Sequence, residues 1–314
     1  MKVFVTGATG FVGTEIWGQL FCADHCVHLL ARDVDSARQR SVVWASSARV
    51  AVDVSAEVHA GDVLDPKSLE TAMSGADAVI HLVGIISEAS QQTFENIHTR
   101  GTQNVIAAAQ KAGIKRFIHM SALGTRRNAV SRYHKSKWAA EEAVRQSGLA
   151  YTIFRPSLIY GRHDQFVNRF AKIIRTSPVL PVLGNERAKF QPVAVECVGA
   201  AFVKSLTEPK SITQIYDLCG PEALPLPEIL DQILEVMHRK RLKLRIPLPL
   251  ARCQGAFLEF LFPLLLHKAP PLNRDQLMML QEDNVGDAQP ANELFGLQHR
   301  TFREGIEKYL GRAA

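Results

Sequence analysis

Residues 2–13 read KVFVTGATGFVG and residues 26–31 read CVHLLA. Lys2 to Thr6 is short, apolar and rich in β-branched side chains, as a strand requires. Gly7, Gly10 and Gly13 punctuate a turn that leads into a helical stretch ending near Leu20, and 26–31 reads as a second buried strand. Strand, glycine-spaced turn, helix and strand make a βαβ unit whose first turn suits a dinucleotide. Gly7 permits a tight turn off the strand, Gly10 lets backbone approach a pyrophosphate, and Gly13 lets the helix pack closely on the sheet. Thr9, Phe11 and Val12 share this loop and join the candidate contacts. The helix start presents open N–H groups and a positive dipole end to phosphate oxygens. The spacing is GxxGxxG, so its position between two strands carries the argument more than the glycines alone.

The residue after the second strand bears on which dinucleotide binds. A carboxylate there suits the ribose 2′-hydroxyl of NAD, and an arginine suits the 2′-phosphate of NADP. Arg32 stands in line and favours NADP(H); Asp33 beside it keeps NAD(H) open. The alternation continues with a short strand at 57–60 ending in Gly61-Asp62, where Asp62 and Val63 are candidates for the adenine, and a helix at 66–73 that Asp65 caps. A buried strand at 78–83 brings Leu82, Val83 and Gly84 towards the cofactor; a long helix over 93–112 and a strand at 116–120 follow. Repeated strand–helix pairs predict an α/β fold, a doubly wound parallel Rossmann sheet that binds its ligand at the strands' C-terminal ends.

Chemistry enters at Ser121, which ends the 116–120 strand, and at Tyr133 and Lys137, four apart on one helix face. A lysine ammonium beside a phenol is expected to lower the tyrosine pKa, so that it exchanges a proton with a hydroxyl or carbonyl. Ser121 would hydrogen-bond the same oxygen while the nicotinamide exchanges a hydride.

With these residues in view, the chain resembles the extended or atypical short-chain dehydrogenase/reductase superfamily, which includes epimerases and dehydratases. The matching segments are 6–13 (TGATGFVG), Gly61-Asp62, Gly101-Thr102-Gln103-Asn104, Ser121, Tyr133 with Lys137, Arg155-Pro156-Ser157 and Tyr160-Gly161. Segments 115–124, 131–144, 153–171, 177–184, 190–201 and 270–285 look like bacterial relatives of the NAD(P)H-binding accessory subunit of mitochondrial complex I. The resemblance implies a bound NAD(P)H, with Pro156, Ser157 and His98 among the cofactor-side residues. Extended members usually place Asn where His98 stands, and Asp where Cys197 stands; both departures argue against ordinary nucleotide-sugar chemistry.

The remaining composition sets bounds. The chain has 314 residues, 37 basic against 31 acidic, a formal net charge of +6 and no nucleic-acid motif. Five scattered cysteines point to reduced thiols and no metal site. A strand directly after Met1 argues against a leader peptide, and no run has the length of a transmembrane helix. A cytoplasmic location is expected. Residues 1–160 are expected to form the NAD(P)-binding domain, and 161–314 a smaller substrate lobe with the chain crossing back to the sheet near 190–220. Within that lobe 177–184 reads as a proline-rich loop, 214–218 as a strand and 227–238 as an amphipathic helix. Arg126, Arg127, Arg132 and Arg162 are either receivers of an anionic substrate or solvated loop residues. The basic run 239–245, followed by the leucine- and phenylalanine-rich 247–267, reads two ways: a peripheral contact with the inner membrane or a respiratory complex, or an edge strand and a helix that covers a pocket. Three functions stay open: an NADP(H)-dependent reductase or dehydrogenase acting on a small hydroxyl or carbonyl substrate, a non-catalytic accessory or assembly subunit of a respiratory NADH:quinone oxidoreductase, and a redox-sensing regulator that binds NADPH and changes partners.

Overall fold

The computed structural model describes residues 1–39, 56–182, 185–247, 249–250, 253 and 273–311. In chain order the strands are β1 (Lys2–Thr6), β2 (Cys26–Ala31), β3 (Glu57–Ala60), β4 (Ala78–His81), β5 (Arg116–Met120), β6 (Ala150–Pro156), β7 (Ile159–Tyr160), β8 (Val179–Val182), β9 (Lys189–Phe190), β10 (Val193–Ala194), β11 (Gln214–Leu218), β12 (Leu224–Pro225) and β13 (Leu242–Arg245). Seven of them form one sheet in the order β3-β2-β1-β4-β5-β6-β11, and every pairing in it is parallel. The order reverses direction at β1, so a crevice opens between the C-terminal ends of β1 and β4, where ligands of such sheets bind.

The sheet is covered on both faces because its strands are apolar on both. Val3, Val5, Ala78, Ile80 and Phe154 pack with Ile16 and Trp17 of α1 (Phe11–Cys22). Phe4, Val79, Phe117 and Ile153 point the other way. They pack with Leu69 of α2 (Pro66–Ala72), Val105 and Ala109 of α3 (Gly101–Lys111) and Val144 of α4 (Arg132–Arg145). Burying a side chain of this size contributes roughly 1.5–3 kcal/mol, so each face is held by many such increments. Asp65 caps α2 by accepting from the Lys67 N–H.

A second core lies among α5 (Phe166–Thr176), β8, α7 (Leu226–Val236) and α10 (Phe302–Leu310), with Val167, Ile174, Leu180, Ile229, Ile233, Phe302 and Ile306 buried in it. Between these segments the chain returns to the main sheet. The helix α6 (Val195–Ser205) joins the core on the α1 face, as does α9 (Gln289–Phe295), which follows the short α8 (Arg274–Met279); β11 extends the sheet edge beside β6.

Two expectations need correction. The stretch 177–184 is not simply a loop: Val179–Val182 is strand β8, paired in parallel with β13. Pro181 is tolerated because this is a two-stranded sheet with open edges. The helix over 93–112 is not uniform either. Glu95–Arg100 is a π-helical turn before the α-helix begins at Gly101, an extra residue that apolar periodicity does not reveal. The basic run does form an edge strand; all four residues of β13 are exposed, Lys243 pairs with Asp231 and Arg245 with Glu186. Almost all of 247–267 lies outside the described residues.

Candidate active site

The cradle starts where β1 ends. Gly7 adopts φ +74°, and a Cβ there would stand 3.0 Å from the Val83 nitrogen and 3.1 Å from the Leu82 carbonyl carbon. The turn therefore lies in backbone contact with the end of β4, across the crevice. A Cβ on Gly13 would stand 2.2 Å from the Gly7 oxygen and 2.7 Å from Ala8 Cα, so only glycine lets α1 come this close. Gly10 caps α1 in an extended conformation and has no side chain with which to bond the first helical amides. An uncapped helix start against bare backbone fits a diphosphate. Val12 is buried; Thr9 and Phe11 are half-buried. Phe11 packs near Gly161, where a Cβ would be 3.1 Å from its ring.

At one end of the crevice Arg32 is exposed directly after β2. Asp33 beside it accepts from the Ser36 N–H at 3.0 Å and the Ser36 hydroxyl at 2.7 Å, and so caps the following turn. Asp62 follows β3 and accepts from the Leu64 N–H at 2.9 Å; Val63 is buried, and its carbonyl accepts from Asn104 at 2.9 Å.

At the other end, Ser131 caps α4 and sets Tyr133 and Lys137 on adjoining turns of one face. Lys137 is 2% exposed. Its Nζ donates to the Met120 carbonyl at 3.0 Å, immediately before Ser121, and would lie 3.1 Å from a Cβ on Gly84. Ser121 is buried at the end of β5 and donates to the Thr125 hydroxyl at 3.3 Å. His98 is a brace between these parts. Its Nε2 accepts from the Ile85 N–H at 3.0 Å, so the proton sits on Nδ1, which donates to the Ser136 hydroxyl at 2.8 Å; that hydroxyl donates to the Tyr133 carbonyl at 2.7 Å. The His98 ring also meets the Tyr133 ring edge-on, with centroids 5.4 Å apart. Burial, reinforced by the Lys137 charge, pushes His98 down to about 2 and keeps it neutral. Pro156 and Ser157 support the same region: the Pro156 carbonyl accepts from the Leu123 N–H at 2.9 Å and Ser157 Oγ donates to Asn284 Oδ1 at 2.6 Å.

The expected lowering of the Tyr133 pKa by Lys137 is not what the geometry produces. Burial dominates and pushes the phenol up to about 12. The same burial pushes Lys137 down to about 8, against the opposing pull of Glu141. The Tyr133 phenol is therefore held protonated, and the Lys137 amine titrates near 8.

Several contributors were invisible to sequence reasoning. Glu141 is fully buried and neutralised by Arg145 at 2.9 Å and Arg155 at 2.6 Å, which fixes α4 to β6. Ser136 and Ile85 matter only through His98. Among the four arginines considered for an anionic substrate, Arg126 is held by Glu282 at 2.7 Å and Arg132 by Glu88 at 2.8 Å. No local spacing announces such long-range pairs.

A sequence model described as NAD(P)H-binding matches residues 7–169, more than half of the chain. The chain belongs to this NAD(P)H-binding family. An NAD(P)H-binding chain of this kind is similar to the mitochondrial NADH dehydrogenase [ubiquinone] 1 alpha subcomplex subunit 9 of Arabidopsis thaliana, 30% identical over 285 residues, covering 90% of this chain and 68% of that protein. It is also similar to a ceramide reductase of Caulobacter vibrioides, 31% identical over 259 residues, covering 82% of this chain and 77% of that one. In fold it resembles a UDP-glucuronic acid 4-epimerase from Bacillus cereus solved with UDP-glucuronic acid and NAD, with a TM-score of 0.73, 17% identity and full coverage of both chains. The NAD(P)H binding expected from the motifs holds for this chain, and the likeness to the epimerase is one of fold. Among the described residues no helix is long and apolar enough to cross a membrane.

Proposed function

We propose that this NAD(P)H-binding chain is an NADP(H)-dependent reductase of a small carbonyl substrate, with Tyr133 as proton donor, Lys137 as its electrostatic partner and Ser121 as a hydrogen-bond donor to the carbonyl oxygen. The observation that carries this reading is the buried Lys137 ammonium, tied to the Met120 carbonyl one residue before Ser121 and set behind the bare backbone of Gly84. Bound NADPH supplies a hydride; the chain supplies position, polarity and the proton. The α1 amides and Gly7–Gly13 hold the diphosphate, Arg32 and Asp62 face the adenosine end, and Lys137 faces the opposite end of the crevice. A phenol kept protonated by burial is suited to donating to a carbonyl oxygen that gains negative charge. His98 and Ser136 restrain the helical turn that carries Tyr133. The preference for the 2′-phosphate is supported by exposed Arg32 and by the engagement of Asp33 with Ser36. The Caulobacter relative named a ceramide reductase supports reductase chemistry.

The test is NADPH consumption against a panel of apolar-chain ketones and aldehydes, with Tyr133→Phe alongside. Turnover should fall about 10²–10⁴-fold while NADPH affinity stays unchanged. Equal turnover in the variant overturns the assignment.

The similarity to the Arabidopsis subunit favours a second reading, a nucleotide-binding accessory or assembly subunit of a respiratory complex. The segment 239–267, which includes the exposed basic strand β13, would then meet the complex or its membrane. Under that reading Tyr133→Phe leaves assembly of the complex intact in cells, and β13 charge reversal disturbs it.

A further inference from the structure

Away from the crevice, at the sheet's outer edge, three side chains from β2 and β3 converge. His28 pairs in register with Glu57, and Leu30 with His59, so His28, Glu57 and His59 project from one face of the two strands. The two imidazoles stack with centroids 5.1 Å apart and 20° between planes. His28 Nδ1 lies 2.9 Å from His59 Nε2, His28 Nε2 lies 3.3 Å from one Glu57 oxygen, and His59 Nε2 lies 3.4 Å from the other. One donor atom from each residue fits within a sphere in which all three stand no more than 4.8 Å apart. His28 is 2% exposed, and its Nε2 has no hydrogen-bond partner among the described residues. A buried ring nitrogen without a partner is costly, and this one lies 3.3 Å from a Glu57 oxygen without hydrogen-bonding it.

We propose that His28, Glu57 and His59 form a binding site for a divalent transition-metal ion of the zinc class. Two ligands of a tetrahedral zinc, each about 2.0–2.1 Å from the ion, stand about 3.3 Å apart, which is the scale of the separations found. One His28 nitrogen, His59 Nε2 and a Glu57 oxygen supply three ligands, and the half-exposed side of the cluster leaves water the fourth position. Imidazole and carboxylate together select borderline ions such as Zn²⁺ over Ca²⁺ or Mg²⁺. The carboxylate offsets part of the ion's charge, and the Lys2 ammonium acts on His28 against it. The ion would clamp β3, which is only four residues long and, among the described residues, pairs with β2 alone. The same two strands carry Arg32 and Asp62 at their far ends, so the clamp would also steady the adenosine end of the crevice. Cysteine spacing does not reveal the site because its ligands are two histidines and a glutamate drawn from two strands.

The experiment is a titration of the purified, metal-stripped chain with Zn²⁺ and with Co²⁺, read by calorimetry, the visible Co²⁺ spectrum and thermal unfolding. One ion per chain should bind, raising Tm and giving a tetrahedral Co²⁺ spectrum without thiolate charge transfer. Glu57→Gln, a conservative change at a mostly exposed side chain, and His59→Gln should each weaken binding at least tenfold (outer-shell changes alone cost about 10–100-fold). Cys22→Ser with Cys26→Ser should leave binding unchanged. No binding, a thiolate signature, or binding undiminished in both cluster variants overturns the proposal.

Discussion

Replacing Gly13 with alanine should separate stability from nucleotide binding. The new Cβ would be placed 2.2 Å from the Gly7 oxygen, 2.7 Å from Ala8 Cα and 2.9 Å from the Ala8 carbonyl carbon. All three are backbone atoms of the turn, so no side chain can swing aside and the loop itself must shift. Overpacking of this kind costs about 1–3 kcal/mol, and alanine recovers about 1 kcal/mol of helix propensity, leaving a net loss of about 0–2 kcal/mol in folding. Binding should suffer more. A displaced loop forfeits one or more amide bonds to the diphosphate, each worth about 1.5–3 kcal/mol, which is roughly a tenfold to 150-fold weaker Kd. Gly148→Ala is the control. Gly148 has φ +72° with nothing within 4 Å of its would-be Cβ, so alanine there costs about 1–2 kcal/mol of backbone strain without touching the crevice. Thermal unfolding should show the two variants similarly destabilised, while calorimetric titration with NADPH should show only Gly13→Ala impaired. Gly13→Ala binding within about twofold of the parent would refute the assignment of this turn to the diphosphate.

Other outcomes follow from the same geometry. Lys137 is depressed to about 8 and Tyr133 raised to about 12. Its ammonium is lost as pH rises through about 8 while the phenol stays protonated. The kcat/KM profile should therefore descend above about pH 8; a flat profile to pH 10 would contradict this. Glu141→Gln leaves the largely buried Arg155 guanidinium without its carboxylate, while Arg145 keeps Glu142, and should cost about 3 kcal/mol, seen as a lower midpoint in urea unfolding. Arg32→Ala should weaken NADPH far more than NADH in parallel titrations; equal weakening would remove the 2′-phosphate from its assigned place.

The parallel sheet was legible because its signal is local. Short apolar runs at 2–6, 26–31, 57–60, 116–120 and 214–218 became strands with those bounds, and the glycine spacing located the turn. The Asp65 cap was readable because a capping carboxylate acts on the next turn. What escaped depends on residues distant in sequence. The Ser157–Asn284 bond, the Arg126–Glu282 pair and the Glu141 cluster join segments whose separation carries no periodicity. The π turn around His98 escaped because one inserted residue barely disturbs an apolar helical pattern. The Tyr133 shift went against expectation because proximity of a cation was weighed without the desolvation that opposes it. In the second lobe the amphipathic helix at 227–238 was legible and is α7, whereas β8 and short pairings such as β12 with β9 were not, because they leave no pattern.

The most direct test is a crystal structure of the chain soaked with NADPH, since diphosphate and nicotinamide positions are read together. The account predicts the diphosphate on the amides that open α1, the 2′-phosphate beside Arg32, and the nicotinamide ribose hydroxyls bonded to Lys137 with the ring facing Tyr133. A nucleotide bound elsewhere, or one whose nicotinamide lies away from Tyr133 and Lys137, would contradict it.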